Sequence, residues 1–533
     1  MRIDKIYIEE FKNLKEFKID IDEEVMQTVL IGENAAGKSN LLEALVIIFR
    51  DLDLKAKTSF NYHIDYECGE NLLRVEGGPS IKGNAQFYSR VKAGDKKLVR
   101  SKPISKTKIY NDKESYLPRY VFAYYSGISN RLLEHFDTHQ KRFYDALLEG
   151  TDAPTRPLFY ARLIHSHFVL MAFYAFADKK VTKFLEDYLD IIGLESVLFV
   201  LKKPVWAKNK SEALDFWQAK GVVRSFLDEL WEASMAPIVN EETVREDFRR
   251  NHKQEHLFLY ISNQEKLENI AKKYGSNTEF FKSLESTYIS DLIQEVRVKV
   301  KKKNIHGDIT FKELSEGEQQ LLTVLGLLRF TKEAESLILL DEPDTHLNPL
   351  WKWKYMNLLE DYSGKDESSQ ILMTTHDPLV IGGRTRKEIR IFRSKKVKDE
   401  NGEEYNSVET FEPDFDPKGL GVAGILTSEF FNLPTTLDED TLEDLNERNR
   451  LVTKKDETGL TDIENNQLNE LFKKLSELGI NTTDRDPMYQ KFLIAISKRE
   501  EFQTEEITKD VREKQNQIAL EILDELFKEE SKS

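Results

Sequence analysis

The residues best suited to chemistry lie in Gly32-Glu-Asn-Ala-Ala-Gly37-Lys38-Ser39. Two glycines separated by four residues, then a lysine and a hydroxyl residue, fit a loop that wraps phosphates. Gly37 allows a tight turn, so that N–H groups of Gly32, Glu33, Asn34, Ala35, Ala36 and Gly37 face the anion. A helix opening at Lys38 adds the partial positive charge of its N-terminus, and Asn40 lies in its first turn. Lys38 is placed to reach the β- and γ-phosphates, and the Ser39 hydroxyl to ligate Mg²⁺. ATP and Mg²⁺ are the expected ligands.

A triphosphate site needs a metal-holding acid from a neighbouring strand, and Leu337-Ile-Leu-Leu-Asp-Glu342 supplies it. Four apolar residues predict a buried parallel strand ending on two carboxylates. Asp341 would hold Mg²⁺, and Glu342 would orient and deprotonate the attacking water. Ile371-Leu-Met-Thr-Thr-His376 reads as another buried strand, with His376 at its end able to hydrogen-bond a γ-phosphate. Leu314-Ser-Glu-Gly-Glu318 precedes an apolar helix, Leu321–Phe330. Ser315 and the N–H groups around Gly317 could bind a phosphate where that helix begins. The catalytic set expected is therefore Glu342, His376 and Lys38.

These side chains need a scaffold. Residues 1–30 read as two β segments and a buried strand, Thr28–Ile31, feeding the loop and the helix Lys38–Phe49. Short alternating runs broken by glycine pairs predict an antiparallel β region over 58–123. From 129 to 290 the pattern reads as helical, without sustained heptads. Strands alternating with helices return over 296–413, and beyond Asp416 the chain is helical and acidic. Thr461-Asp-Ile-Glu464 predicts a capping box, and Leu468, Leu471, Leu475 and Leu478 share one helical face.

The 533 residues carry a formal net charge of −16, 40% hydrophobic residues and a single cysteine. Cys68 alone cannot form an internal disulfide, which points to a reducing cytoplasm. No run reaches the ~20 apolar residues of a membrane span, and MRIDKIYIEEF lacks the apolar core of a secretion signal. A soluble cytoplasmic protein with no membrane partner is expected. The charge is uneven: residues 55–119 hold 14 basic against 7 acidic residues, and residues 436–533 hold 25 acidic against 15 basic. Basic clusters at Arg90–Lys108, Arg297–Lys303 and Arg384–Lys398 fit either solvated faces or contacts to DNA phosphates.

The ordered set of motifs resembles the ATP-binding cassette superfamily in its SMC/RecF-like branch, an AAA family with an OLD-like cassette. IEEFKNLKEFKIDI and GENAAGKSNLLEAL look like the opening of RecF-like and OLD-like ATPases. The resemblance implies an α/β fold: an ABC-type P-loop ATPase head with a mixed sheet and an antiparallel β lobe, a helical insertion and a helical C-terminal domain. The implied domains are 1–128, 129–290 (the insertion), 291–415 and 416–533 (an acidic helical domain for partner docking or oligomerisation). It also implies a head-to-tail homodimer or higher oligomer, in which Ser315, Gly317 and Glu318 serve the partner's nucleotide across a loop containing Asp344-Thr-His-Leu-Asn348. Two departures from the transporter pattern, Glu316 and Asn348, read as markers of the branch. The glutamine that completes the Mg²⁺ shell in this superfamily has no match in Val121–Gly127.

Gly419–Glu429 and Asp484-Arg-Asp-Pro-Met-Tyr489 look like the ATPase subunit of Septu-type and retron-associated antiphage systems. That likeness implies a bacterial defence ATPase whose nucleotide state regulates a separate HNH nuclease subunit acting on DNA. The other readings are a repair or recombination ATPase that clamps duplex DNA, an OLD-like ATPase-nuclease, and a structural regulator that binds ATP with little turnover. A fused nuclease would need carboxylates at strand ends, whereas Asp438-Glu-Asp440 lies between Pro434 and a helical stretch.

Other constellations invite chemistry less strongly. His252-Lys-Gln-Glu-His256 has the letters of a zinc-peptidase helix but reads as a solvated helix without a third ligand. His135 and His139, His165 and His167, and Trp206, Trp217 and Trp231 read as structural residues.

Overall fold

In the computed structural model every residue of the strand Ser336–Asp341 is buried, as an apolar run covered on both faces requires. It lies between the strands Gln370–Thr374 and Tyr120–Tyr125, parallel to both. The full sheet has seven strands in the order Glu404–Phe411, Ile389–Lys398, Gln27–Gly32, Gln370–Thr374, Ser336–Asp341, Tyr120–Tyr125, Leu158–Tyr160. All pairs are parallel except the edge pair of Glu404–Phe411 with Ile389–Lys398. The described residues are all but 94–96, 152–155, 177–178, 209–210, 246, 304–308, 311–313, 331–334, 364–367, 399–403, 479–513, 516 and 524–533. They divide into units 1–433 and 434–533.

Alternation along the central strands sends side chains into two cores. Leu337, Leu339, Val121, Leu30 and Leu372 pack with the helix Lys38–Leu54 and an antiparallel sheet. Ile338, Leu340, Phe122, Val29 and Met373 pack on the opposite side with the insertion. The antiparallel sheet has six strands in the order Leu14–Asp20, Arg2–Phe11, Tyr62–Cys68, Asn71–Gly77, Ala85–Ala93, Lys97–Ile104. On the other side the apolar helices Ile164–Ala175 and Glu316–Phe330 meet so closely that a Cβ on Gly326 would lie 2.1 Å from Val169 Cγ1.

Several expectations require correction. The insertion is not all helical: its segments Ile191–Lys202, Ile238–Arg245 and Asn251–Ile261 join Ile293–Lys302 and Ile309–Thr310, which follow it, in an antiparallel five-stranded sheet. Ile191–Lys202 pairs mainly with a strand a hundred residues away, and a short apolar run does not distinguish helix from strand before its partner is known. His252 and His256 accordingly lie on the strand Asn251–Ile261, His252 exposed and His256 buried, not on a helix. Residues 58–123 end in the parallel strand Tyr120–Tyr125, not an antiparallel one. Residues 416–433 belong to the first unit, because Ile425 and Phe430 enter its core.

Several described members of the basic clusters are occupied internally. Arg90 is buried against Asp4 and Asp65, Arg384 against Glu360 and Glu388, and Arg390 against Glu412. Val296, Val298 and Val300 do face the core, with Arg297, Lys299 and Lys301 outward. Arg297 and Lys301 there pair with Glu295 and Glu195, each at 2.8 Å. The three tryptophans are structural: Trp217 is buried with Nε1 donating to Glu255 at 2.8 Å, Trp206 donates to the Ser290 carbonyl, and Trp231 packs against the core. His165 is buried and bonded to Glu285 at 2.8 Å. His135 and His139 bond two different carboxylates, Glu43 and Asp53.

In the second unit Asp438 caps the helix Glu439–Glu457, and the Thr461–Glu464 box caps Asp462–Glu477. Leu468, Leu471 and Leu475 are buried, whereas Leu478 lies past the helix end and is exposed. Asp484–Tyr489 lies outside the described residues.

Candidate nucleotide site

The strand Gln27–Gly32 delivers the loop 32–37, and the helix starting at Lys38 carries it away. Two backbone features make the turn. Gly37 has φ +91°, and a Cβ there would meet Leu14 Cδ2 at 2.7 Å; Ala35 sits at φ +61°. Lys38 bends back over the loop, its Nζ donating to the carbonyls of Gly32 and Glu33, each at 2.9 Å. Burial lowers its ammonium from 10.5 to about 8, with Glu342 and Asp341 pulling the other way. The charge a phosphate needs is therefore stored in a site that holds it reluctantly.

Sheet order brings the two halves of the motif set together. Ser39 Oγ donates to Asp341 Oδ1 at 3.0 Å, across 302 residues of sequence. Thr374, ending the strand between them, donates to the same oxygen at 2.6 Å and accepts from the Glu342 N–H at 3.0 Å. Asp341 Oδ2 is buried and has no hydrogen-bond partner among the described residues. Burial also raises the pKa of Asp341. An orphaned, desolvated carboxylate oxygen beside a serine hydroxyl is the donor set of a hard divalent cation, so these residues fit Mg²⁺.

Glu342 adopts a left-handed φ of +51° just beyond the strand, which turns its side chain from the sheet to His376. His376 Nε2 lies 3.4 Å from Glu342 Oε1, with the two side chains 35% and 39% exposed, so water reaches both. This hydrogen bond is the first cause that keeps Glu342 ionised below the ordinary carboxylate range. Two residues on, Asp344 is pushed up to about 6 by burial while accepting from Thr375 Oγ1 at 2.8 Å.

Ser315 and Gly317 stand at the start of the helix Glu316–Phe330, with Ser315 exposed. Gly317 is there for close approach: a Cβ would lie 2.4 Å from the His346 carbonyl oxygen. Glu318 is engaged within its own chain. Its Oε2 accepts from the Ser315 N–H and Oγ at 2.7 and 3.0 Å, and its Oε1 pairs with Lys302 at 2.6 Å. No described contact joins these residues to the phosphate loop of the same chain.

Two supports of the loop carried no recognised motif. Asn13, in the hairpin between Arg2–Phe11 and Leu14–Asp20, donates from Nδ2 to the Ala35 carbonyl at 2.7 Å. Its Oδ1 accepts from Asn40 Nδ2 at 2.6 Å, so Asn40 braces the loop from below. One turn further, Glu43 gathers Lys12 (2.5 Å), Arg131 (2.7 Å) and His135 (3.3 Å). Burial works to raise Glu43, but these partners outweigh it and bring it to about 2. The phrase Phe11-Lys-Asn-Leu14 was a signal for this clamp only as part of the resemblance.

Comparison with known proteins finds partial likenesses. Residues 1–146 match a family model described as "AAA ATPase domain", and residues 224–382 one described as "AAA domain, putative AbiEii toxin, Type IV TA system". The chain is 28% identical over 182 residues to the Septu protein PtuA of Bacillus mycoides, covering 31% of this chain and 23% of that protein. It is 33% identical over 93 residues to the cell division ATP-binding protein FtsE of Streptococcus pneumoniae, covering 17% of this chain and 38% of that one. The chain thus spans under two-fifths of each curated relative's length. Among solved structures, the SMC head domain from Thermotoga maritima is 12% identical with a TM-score of 0.30, over 78% of this chain and 100% of that one. An SmcHead bound to the C-winged helix domain of ScpA is 11% identical with a TM-score of 0.32, over 77% and 98%. Two stretches of the chain thus match AAA-family models, with Gly32–Ser39 in one and Ser315, Asp341 and His376 in the other.

Proposed function

We propose that this chain is a Mg²⁺-dependent ATPase subunit of a bacterial antiphage complex, acting in the cytoplasm as a dimer of heads. Its nucleotide state regulates a separate HNH nuclease subunit that cuts DNA. The observation that carries the ATPase reading is the contact of Ser39 with Asp341 beside Glu342 and His376. The antiphage reading rests on the 28% likeness to the Septu protein and on the tail motif Gly419–Glu429.

In this mechanism the loop amides and Lys38 bind the β- and γ-phosphates, Lys38 leaving its two carbonyl acceptors to do so. Ser39 and Asp341 would hold Mg²⁺, which would supply positive charge to stabilise phosphoryl transfer. Glu342 accepts a proton from water in line with the γ-phosphorus, and His376 holds the Glu342 carboxylate in place while reaching that phosphate. Ser315 and Gly317, uncommitted to the chain's own loop, serve a second copy's nucleotide. ATP binding then stabilises one assembly state and hydrolysis releases it.

Co-purification of the chain with a small HNH protein, and nucleotide-dependent DNA cleavage by that complex only, is the expected result. DNA cleavage by the pure chain, abolished by carboxylate substitutions outside 32–39 and 341–376, would overturn it. That outcome would favour the fused ATPase-nuclease; salt-dependent duplex binding by the chain alone would favour the repair clamp.

A further inference from the structure

A cavity of about 240 Å³ opens beside the phosphate loop. Its lining includes Gly32, Glu33, Asn34 and His376 together with Arg393 and the segment Glu429–Asn432. His376 also touches Glu342, whose carboxylate marks where water attacks. On the ATP reading the cavity would lie at the γ-phosphate end of the nucleotide, and the phosphate-binding motifs include neither Arg393 nor Glu429–Asn432.

Arg393 is built into that lining. It leaves the strand Ile389–Lys398 one residue after Phe392, whose carbonyl would be 2.2 Å from a Cβ on Gly32; strand and loop are in direct contact there. The guanidinium lies over the Phe411 ring at 4.8 Å, which fixes its plane. Its Nη2 donates to the Glu429 carbonyl at 3.1 Å and to Asn432 Oδ1 at 3.4 Å. A guanidinium has five N–H donors. Among the described residues the recorded bonds of Arg393 use Nη2 alone, which leaves donors on Nε and Nη1 for an anion.

The segment that Arg393 grips is a poised turn. Asn432 has φ +53°, its N–H bonds the Ser428 carbonyl at 2.8 Å, and the Leu433 N–H bonds the Leu426 carbonyl at 2.9 Å. Phe430 anchors it in the core, edge-on to Phe415. The next residue, Pro434, begins the second unit. The lining of the cavity thus includes the chain that leads out of the ATPase unit.

We propose that Arg393 contacts the γ-phosphate and, through Glu429 and Asn432, transmits its presence to the segment 428–433. The inference rests on the ATP reading above and names how the γ-phosphate would be reported. A guanidinium shared between a phosphate, the Glu429 carbonyl and the Asn432 side chain tightens the turn when ATP is bound and relaxes it with ADP.

The test uses the full chain. Affinities for Mg-ATP and Mg-ADP are measured by calorimetry in the wild type, Arg393→Gln and Arg393→Lys, and amide exchange of residues 428–433 is followed with each nucleotide. Loss of one charge-assisted hydrogen bond predicts about tenfold weaker ATP binding in Arg393→Gln. ADP affinity should stay within about twofold, and Arg393→Lys should recover part of the loss. In the wild type ATP should slow exchange over 428–433 relative to ADP, and Arg393→Gln should erase that difference. Parallel changes in ATP and ADP affinity, or equal exchange with both nucleotides in the wild type, would overturn the proposal while leaving the ATPase reading intact. Failure of the wild type to bind either nucleotide would overturn both.

Discussion

Replacing Glu342 with glutamine removes one function and keeps the shape. Glutamine is isosteric, so the Glu342 N–H bond to Thr374 and the approach to His376 at 3.4 Å can persist. What is lost is the ability to take a proton from water. A positioned base contributes about 10²–10⁴-fold, or about 2.7–5.4 kcal/mol at 1.36 kcal/mol per decade. Turnover of Glu342→Gln should fall by that factor while ATP still binds, so an ATP-bound dimer should accumulate on size-exclusion chromatography. A second consequence comes from charge. Glu342 is the foremost of the acids that hold up the Lys38 ammonium against its burial. Removing its charge should move the pH at which ATP affinity begins to fall to a value lower than in the wild type. Steady-state hydrolysis together with affinity measured from pH 6.5 to 9.5 (about half-unit steps suffice) reads both effects. Unchanged turnover would refute the assignment of the base, and an unmoved pH midpoint would refute its coupling to Lys38.

Three other outcomes are expected. In the wild type, Lys38 loses its proton around pH 8 when no nucleotide is bound, so the ATP dissociation constant should rise as pH climbs past 8, by up to about tenfold per unit, with proton uptake on binding visible in calorimetry. Gly37→Ala puts a Cβ at φ +91° and 2.7 Å from Leu14; it should cost about 1–2 kcal/mol of stability from the backbone alone and abolish ATP binding, as thermal melts with and without ATP would show. Glu43→Gln should destabilise the protein at pH 7 by about 1–3 kcal/mol, through weaker bonds to Lys12, Arg131 and His135. Because Glu43 sits near 2 against an ordinary 4.5, its contribution is complete above about 4.5 and disappears as pH falls through about 2. Urea unfolding at pH 7 and pH 3 should therefore show the gap between variant and wild type narrowing in acid.

The site was more legible than the fold around it. Leu337–Glu342 and Ile371–His376 could be recognised as buried strands because their apolar runs end abruptly in polar, reactive residues. The insertion was misread for the converse reason. Ile191–Lys202 is equally apolar, but no terminal motif identifies it, and its partner Ile293–Lys302 lies a hundred residues downstream. The Lys253-to-Glu241 contact that helps hold the neighbouring hairpin is also invisible to local periodicity. The basic clusters overstate the free charge because sequence counts charges without pairing them: Arg90 and Arg384 sit on internal carboxylates.

By itself the sequence determined the identity and order of the reactive groups: the Gly37-Lys38-Ser39 turn, Ser315, the Asp341–Glu342 pair and His376. These are legible because a phosphate loop and a strand-end acid each need particular side chains at particular backbone positions. Only the tertiary structure decided how they meet. Sheet order sets Gln370–Thr374 between the loop strand and the acidic strand, so that Thr374 bridges Asp341 and Glu342. It also set Asn13 under the loop, Glu318 in the cap of its own helix, and Arg393 in one cavity with Gly32. Each of those relations joins segments whose separation along the chain carries no local signal, and it arises from closing the sheet over two cores.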